Sequence, residues 1–123
     1  MLKLKDLDAT YGEGMVLRKV NLEALKGRVT CLAGRNGAGK TTTMRAIMGL
    51  IKTPSGDIEL DGKSIIKEPT YTRAKSGIGY VPQGREIFPQ LTVEENLLLG
   101  LEAVDGKGKI PDSIFETFPI LKE

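Results

Sequence analysis

The sequence predicts an α/β protein, because short apolar runs of the kind found in buried strands alternate with segments of helical periodicity. Val29–Ala33 and Ile78–Val81 are continuous apolar runs, typical of strands buried on both faces. Thr41–Leu50 directly follows a glycine-rich turn and predicts a helix, because Met44, Ile47, Met48 and, just beyond it, Ile51 recur at helical spacing. A buried strand, a glycine-rich turn and a helix therefore follow one another in the first half of the chain.

The N-terminal part predicts two strands. Leu2–Leu7 alternates apolar and charged residues, which is typical of a half-exposed strand. Tyr11–Gly14 predicts a turn, and Val16–Leu25 predicts a second strand that ends at Lys26-Gly27. Cys31, inside the first apolar run, is interpreted as a buried small hydrophobic residue rather than a reactive thiol.

Beyond the first helix, the sequence predicts a chain break, a hairpin and a second helix. Pro54-Ser55-Gly56 is expected to break the chain. Asp57–Leu60, the Asp61-Gly62 turn and Lys63–Ile66 together predict a β-hairpin. Pro69–Ser76 predicts a short polar helix.

The C-terminal part predicts a loop followed by two helices. Gln83–Gln90 lacks periodicity and contains turn-forming residues, so it predicts a loop. Thr92 followed by Glu95 is a capping box, which predicts the start of a helix. The apolar face of that helix consists of Val93, Leu97 and Leu101. Pro111 and Asp112 begin a last helical pattern, which carries Ile114, Phe115 and Phe118.

Composition excludes several classes of protein. Hydrophobic residues make up 40% and charged residues 28%, as in ordinary soluble domains. The net charge of +2 is too small, and the basic residues too scattered, to indicate a nucleic-acid partner. No apolar stretch is long enough to span a membrane, and the N-terminus lacks the apolar run of a signal peptide, so a cytoplasmic location is expected. The chain has no histidine, which excludes an imidazole mechanism within it.

The glycine-rich turn has the composition of a phosphate-binding loop (P-loop). Gly34–Thr41 fits the pattern of a glycine, any four residues and then Gly-Lys-Thr. Its glycines let successive backbone N–H groups converge on phosphates, and the following helix adds its N-terminal amides. Lys40 would supply a cation for the β- and γ-phosphates, and the Thr41 hydroxyl would ligate magnesium. This pattern predicts binding of a nucleoside triphosphate, ATP with Mg²⁺. The predicted nucleotide-binding residues here are Gly34, Arg35, Asn36, Gly37, Ala38, Gly39, Lys40, Thr41 and Thr42.

Further motifs narrow the choice among P-loop proteins. Tyr11 precedes the loop at the end of the first strand, and the loop itself reads RNGAGKTT. Gly79–Pro89, which contains VPQGREIFP, begins inside the second apolar run, and Leu91–Leu97 follows it. Together these motifs resemble the ATP-binding subunits of ABC transporters, over essentially the whole chain. The branch they resemble most is that of the branched-chain amino acid and urea importers, with Arg35 and VPQGREIFP closer to the urea type.

The resemblance implies a fold and roles for particular residues. The fold would be a P-loop NTPase core of ABC type with an N-terminal antiparallel β-subdomain. Residues 1–83 would form the nucleotide-binding core, and residues 84–123 the rest of the Q-loop and the start of the helical subdomain that docks on the membrane subunit. Tyr11 would stack on adenine. Gln83 would reach magnesium and the attacking water and would sense the permease, tasks that suit a carboxamide. Lys40 and Gln83 are thus the catalytic candidates, and Thr41 and Gln83 the metal ligands.

Without the resemblance, interpretations that give these residues no binding role stay open. Tyr11 could be an ordinary tyrosine at a strand end, and Gln83 an exposed loop residue. The apolar face of the helix after Thr92 could belong to the core or to a docking surface.

The resemblance also implies partners and a place in the cell. The partners would be membrane permease subunits and a second ATP-binding subunit, identical or different, without nucleic acid. The chain would lie in the cytoplasm, peripheral at the inner face of the plasma membrane. Its function would be to couple ATP binding and hydrolysis to the uptake of urea or branched-chain amino acids.

Several motifs of the family do not occur in this sequence. It has no Ser-Gly-Gly of a signature loop, no apolar run ending in Asp-Glu (the Walker B motif) and no switch histidine. The resemblance therefore implies a fold truncated before the signature and Walker B regions. Phosphoryl transfer needs several of these parts at once, so we expect negligible ATP hydrolysis by this chain alone. One hypothesis is that the chain is an incomplete product of a longer gene.

Three other functions remain as alternatives. The chain could be a non-enzymatic nucleotide-binding module that a partner completes. It could be an ABC ATPase of another branch, in lipid export or a non-transport role. A GTPase is disfavoured, because no Asn-Lys-x-Asp motif for reading guanine appears.

Overall fold

The computed structural model describes residues 1–122. The chain forms two compact units, of which the first ends at Ser76 and the second begins at Gly77. The predicted boundary, after residue 83, lies further along the chain. The first unit contains β1 (Leu2–Tyr11), β2 (Gly14–Ala24), α1 (Lys40–Met48), β3 (Lys52–Leu60), β4 (Lys63–Ser64) and α2 (Thr70–Lys75). The second contains α3 (Val93–Leu99), a 3₁₀ helix (Gly100–Val104), α4 (Asp112–Thr117) and a second 3₁₀ helix (Pro119–Lys122).

The strands of the first unit form one antiparallel sheet with the order β2-β1-β3-β4. The two predicted N-terminal strands are confirmed, and so is the hairpin, in which Leu60 pairs with Lys63 across the Asp61-Gly62 turn. Among residues 1–122, the buried hydrophobic side chains all lie in this unit, on the sheet, on α1 and just after β4. They are Leu4, Leu7, Ala9, Leu17, Ala46, Ile47, Met48, Ile58 and Ile65. Met44, predicted on the apolar face of α1, is instead 43% exposed.

The expected chain break at Pro54-Ser55-Gly56 is wrong, because β3 runs through these residues. The strand accommodates them by an irregular register against β1. Asp57 pairs with Lys5, Ser55 with Asp8 and Lys52 with Thr10, and the register shifts between successive pairs. In the first shift the extra residue lies on β1, opposite Gly56, and in the second it lies on β3, at Thr53-Pro54. A bulge leaves a residue out of the ladder, which suits a proline without an N–H group.

A polar network spans the irregular part of the sheet. The Asp8 carboxylate accepts a hydrogen bond from the Lys19 backbone N–H at 2.7 Å and another from the Ser55 hydroxyl at 2.5 Å. Asn21 accepts from the Asp6 N–H at 3.0 Å and donates to the Asp6 carboxylate at 2.9 Å. The Ser55 hydroxyl and, next in importance, the Lys19 amide hold the pKa of the Asp8 carboxyl below its usual value.

This network predicts an acid dependence of stability. A carboxyl whose folded pKa lies below its unfolded value stabilises the protein above the unfolded pKa, and that contribution is lost as the pH falls through the folded pKa. Ser55→Ala removes the larger cause of the shift, so stability should decline less steeply as the pH falls below about 4. Urea unfolding at a series of pH values measures this slope, with Asp8→Asn as the reference without the carboxyl. An unchanged slope in both variants would contradict the assignment.

The two predicted buried strands are wrong, because neither Val29–Ala33 nor Ile78–Val81 is a strand in the described part of the chain. Val29 is fully exposed and Val81 is 92% exposed. Cys31, predicted to be buried, is exposed as well. A strand that is apolar on both faces is stable only when neighbouring strands pair with it and helices cover it. Within residues 1–122 no strand pairs with either run, so both remain irregular.

A buried arginine closes the C-terminal end of α1. Arg73, on α2, is only 2% exposed, and its guanidinium donates to the carbonyl oxygens of Ala46 and Ile47 at 3.0 and 2.8 Å. It also donates to the carbonyl oxygens of Ile66 at 2.9 Å and Glu68 at 2.8 Å. Burial lowers the pKa of Arg73. The helix predicted over Pro69–Ser76 is confirmed, but the sequence did not indicate that one of its polar residues would be buried.

In the second unit, the predicted capping box at the start of α3 is confirmed. The Thr92 hydroxyl accepts from the Glu95 N–H at 3.1 Å, and the Glu95 carboxylate accepts from the Thr92 N–H at 2.8 Å. The Asn96 side chain ties the preceding loop to the helix, since its carboxamide bonds the Phe88 N–H and C=O and the Leu91 C=O. The last predicted helix is confirmed as α4.

Candidate nucleotide-binding site

The glycine-rich loop turns tightly and leads directly into α1. The Ala38 N–H donates to the Arg35 carbonyl at 3.1 Å, and Gly39, the N-cap residue just before α1, has a φ of 95°. That φ favours glycine, and a Cβ atom added to Gly39 would lie 2.8 Å from Leu17 Cδ2 on β2. The backbone conformation therefore favours glycine at this position, and a larger residue would also have to displace the end of the Leu17 side chain.

Lys40, the first residue of α1, extends back to the loop that precedes it. Its ammonium donates to the carbonyl oxygens of Gly34 at 2.6 Å and Arg35 at 2.7 Å. A positive charge is thereby held at the loop by its own backbone. The predicted phosphate-binding lysine thus lies at the N-terminus of a helix, where the helix dipole also favours an anion.

The threonines after Lys40 differ in their surroundings. Thr41 is exposed, and Thr42 is partly exposed. Thr43 is buried, and its hydroxyl donates to the Gly39 carbonyl at 2.8 Å, so it serves the helix itself. Thr41 therefore offers an accessible hydroxyl oxygen in the first turn of α1, next to Lys40, as the prediction of a metal ligand requires.

Tyr11 is anchored to the same helix. It ends β1, pairs with Gly14 across the turn, and is 44% exposed. Its hydroxyl accepts a hydrogen bond from the Arg45 guanidinium on α1 at 3.2 Å. The first unit therefore connects the predicted base-stacking ring and the predicted phosphate-binding loop through one short helix. Sequence reasoning missed Arg45, because no motif marks it.

Gln83, the other predicted catalytic residue, belongs to the second unit. It is exposed, in a bend immediately before Gly84. The loop that follows is held to α3 by Asn96, as described above. The predicted site residues are thus divided between the units, with Tyr11 and the P-loop in one and Gln83 in the other.

The second unit also contains an open, mostly apolar groove of about 640 Å³. It lies between the loop after Gln83 and α3, and Leu121 near the C-terminus contributes to it. Ile87, Phe88, Leu91 and Val93 line this groove and are all more than a third exposed.

A membrane-spanning helix and a cluster of metal-binding side chains are both absent from the described residues. No helix between residues 1 and 122 is long and apolar enough to cross a membrane. In the same part of the chain, no three His, Cys, Asp or Glu side chains cluster so that they could hold a metal ion.

Comparison with known proteins identifies the family. Residues 17–122 match the family described as ABC transporter. The chain belongs to this family. The match begins at Leu17 on β2 and includes the glycine-rich loop, α1, Arg73 and the loop after Gln83. The α/β fold class and the resemblance drawn from the sequence motifs are therefore confirmed.

Curated relatives of this ABC transporter chain agree with the assignment. A probable ABC transporter ATP-binding protein of Azorhizobium caulinodans is 42% identical over 93% of the chain and 42% of its own length. A probable branched-chain amino acid transport ATP-binding protein, LivF, of Archaeoglobus fulgidus is 39% identical over 99% of the chain and 52% of its own length. A lipopolysaccharide export system ATP-binding protein, LptB, of Haemophilus influenzae is 41% identical over 83% of the chain. The chain thus spans about half the length of such relatives.

Solved structures show the same fold. An ATP-binding subunit of an ABC transporter superposes with a TM-score of 0.75 at 31% identity, over 100% of this chain and 50% of that one. The ATP-binding cassette MJ0796, in a dimeric post-hydrolysis state bound to ADP and Pi, superposes with a TM-score of 0.74 at 28% identity, over 95% of this chain and 53% of that one.

Proposed function

We propose that this chain binds ATP with magnesium through its P-loop, as part of the ATP-binding subunit of an ABC importer. The observation that carries the proposal is the arrangement of Lys40. Its ammonium bonds the carbonyl oxygens of Gly34 and Arg35 at the N-terminus of α1, which places a cation and a helix dipole at one glycine-rich loop. Such a loop suits the phosphates of a nucleotide.

Magnesium would be held mainly by the nucleotide and by few protein groups. Mg²⁺ is usually bound through one or two protein oxygens, the substrate phosphates and water. The exposed Thr41 hydroxyl fits that pattern, and the carboxamide of Gln83 is proposed as a second ligand by resemblance to the family. The ion would neutralise phosphate charge.

The solute proposed for the complete transporter is a branched-chain amino acid or urea. Two of the similar proteins are named as branched-chain amino acid transport ATP-binding proteins, at 39% and 37% identity over nearly the whole chain. Other relatives of comparable identity are named for ribose import and lipopolysaccharide export. The support for the amino-acid branch is the near-complete coverage of the chain, whereas the relatives for ribose and lipopolysaccharide cover 82% and 83% of it.

The proposed partners are a permease and a second ATP-binding subunit. The apolar groove beside Phe88 and Leu91 is the part of the second unit best suited to receive an amphipathic helix of a permease. The dimer is proposed by analogy with the cassette MJ0796, whose structure is described as dimeric. At the membrane, the subunit would be peripheral, on the cytoplasmic side.

The test of nucleotide binding is the substitution Lys40→Ala. Charge-assisted hydrogen bonds contribute about 1.5–3 kcal/mol each, so losing the ammonium should weaken ATP binding by about tenfold to more than a hundredfold. Titration calorimetry with ATP and magnesium measures the effect. Lys67→Ala is the matched control, because Lys67 is an exposed lysine of the same unit outside the loop. An equal affinity in wild type and Lys40→Ala would show that the loop does not bind the nucleotide.

Hydrolysis by this chain alone is expected to be negligible. The sequence carries no signature-loop Ser-Gly-Gly and no Asp-Glu pair for polarising water. Several such groups act together in phosphoryl transfer. Release of phosphate from ATP by the purified chain measures this directly, and turnover that Lys40→Ala abolishes would contradict the expectation. Binding without turnover would also fit the alternative of a nucleotide-binding module that a partner completes.

A further inference from the structure

Arg45 donates a hydrogen bond to the hydroxyl at the end of the Tyr11 side chain. Tyr11 closes β1, where pairing with Gly14 fixes its backbone. Its hydroxyl accepts a hydrogen bond from Arg45 Nη1 at 3.2 Å, while the side chain stays substantially exposed. The bond therefore engages the edge of the ring and leaves surface of the ring open to solvent.

We propose that Arg45 is a positioning residue for the nucleotide base, acting through Tyr11. This inference rests on the proposed binding of ATP and on the expectation, from the family resemblance, that the Tyr11 ring stacks on adenine. An exposed tyrosine loses rotational freedom when it stacks, and this loss opposes binding. Anchoring the hydroxyl before the nucleotide arrives removes part of that cost.

The position of Arg45 on α1 gives its bond to Tyr11 a second consequence. Arg45 lies on α1, the helix that begins with Lys40. The arginine that holds the Tyr11 ring and the predicted phosphate-binding lysine therefore lie on the same short helix, and α1 links the proposed base site on β1 to the proposed phosphate site. An arginine suits this task, because its planar guanidinium is always charged and presents several donors in fixed directions.

Comparing ATP with inorganic triphosphate tests the proposal. Triphosphate requires the loop but cannot use the ring. Arg45→Met should weaken ATP binding by about two- to tenfold, the range for one hydrogen bond, and leave triphosphate binding unchanged. Tyr11→Phe, which keeps the ring and removes the hydroxyl, should have the same effect. The double variant should bind ATP no more weakly than Arg45→Met alone, because both substitutions remove the same Arg45–Tyr11 hydrogen bond.

Two controls separate positioning from loss of charge. Arg45→Lys retains a donor and should restore part of the affinity for ATP. Arg18→Met removes another exposed arginine of the same unit and should change neither ligand's affinity. Calorimetry at a temperature where every variant is folded gives the comparison.

The possible binding results distinguish failure of this proposal from failure of the proposed function. Equal weakening of ATP and triphosphate by Arg45→Met, or additive effects of the two substitutions, would overturn the proposal while leaving nucleotide binding intact. Failure of the wild-type chain to bind either ligand would overturn the proposed function and this inference with it. A selective, non-additive loss for ATP would support it.

Discussion

Replacing Arg73 by methionine is expected to lower the free energy of unfolding by about 3 kcal/mol or more. The guanidinium donates to backbone carbonyls of Ala46, Ile47, Ile66 and Glu68 at distances of 2.8–3.0 Å. Methionine fills a similar volume but donates no hydrogen bond, and an unsatisfied buried acceptor costs about 1–3 kcal/mol. The C-terminus of α1 would also lose a positive charge that complements the helix dipole.

The position of Arg73 explains why so large an effect is expected. Its bonds join the end of α1 to Ile66, just after β4, and to Glu68, two residues before α2. Gly49, just past α1, packs against it, since an added Cβ atom would lie 3.0 Å from Arg73 Cζ. Arginine thus occupies a space shaped by three parts of the first unit.

Urea unfolding followed by circular dichroism measures the loss. Arg28→Met is the control, because Arg28 is exposed and the same change there should be within about 0.5 kcal/mol of wild type. Arg73→Lys should give an intermediate loss, since a single ammonium does not span the same set of carbonyls. A stability of Arg73→Met equal to that of Arg28→Met would refute the role assigned to the guanidinium.

Gly56→Ala is the second substitution with a large expected effect, a loss of about 2–6 kcal/mol. Gly56 has a φ of 88°, and a Cβ atom there would lie 2.4 Å from the Asp6 carbonyl oxygen and 2.6 Å from Leu7 Cα. A backbone strained in this way costs about 1–3 kcal/mol, and forcing atoms into packed space costs about 1–3 kcal/mol more. The obstructing atoms belong to the backbone of β1 at its irregular part, where Leu7 pairs with Val20 of β2, so moving them would disturb that pairing.

Gly62→Ala provides a matched control. Gly62 has a φ of 82°, but no atom lies within 4 Å of its added Cβ. It therefore carries the cost of the backbone conformation without the clash. Unfolding by urea should show Gly56→Ala to be the less stable of the two variants. Equal losses would mean that the bulge relaxes and that close approach to β1 is not required.

Local chemistry allowed the glycine-rich turn before α1 and part of the fold to be predicted from the sequence. The Gly-Lys-Thr pattern predicted the turn at the start of α1, and the structure places Lys40 at that loop. Thr92 and Glu95 predicted a capping box because each satisfies the other's backbone donor, which depends only on their spacing. The Asp61-Gly62 turn predicted the hairpin for the same reason, since turn geometry depends on adjacent residues.

Features that depend on distant residues were decided only by the tertiary structure. Val29–Ala33 has the composition of a buried strand, yet it forms none here, because a strand requires a neighbour to pair with. Arg73 resembles any polar helix residue in the sequence, and only the meeting of α1 with α2 makes it a buried donor. The bond between Arg45 and Tyr11 joins residues 34 positions apart, a proximity that no local pattern records. The sequence by itself thus determined the turns, the caps and the glycine-rich loop, whose geometry is local. The tertiary structure decided which strands form, which charge is buried and which helix holds the ring, since these depend on contacts between distant segments.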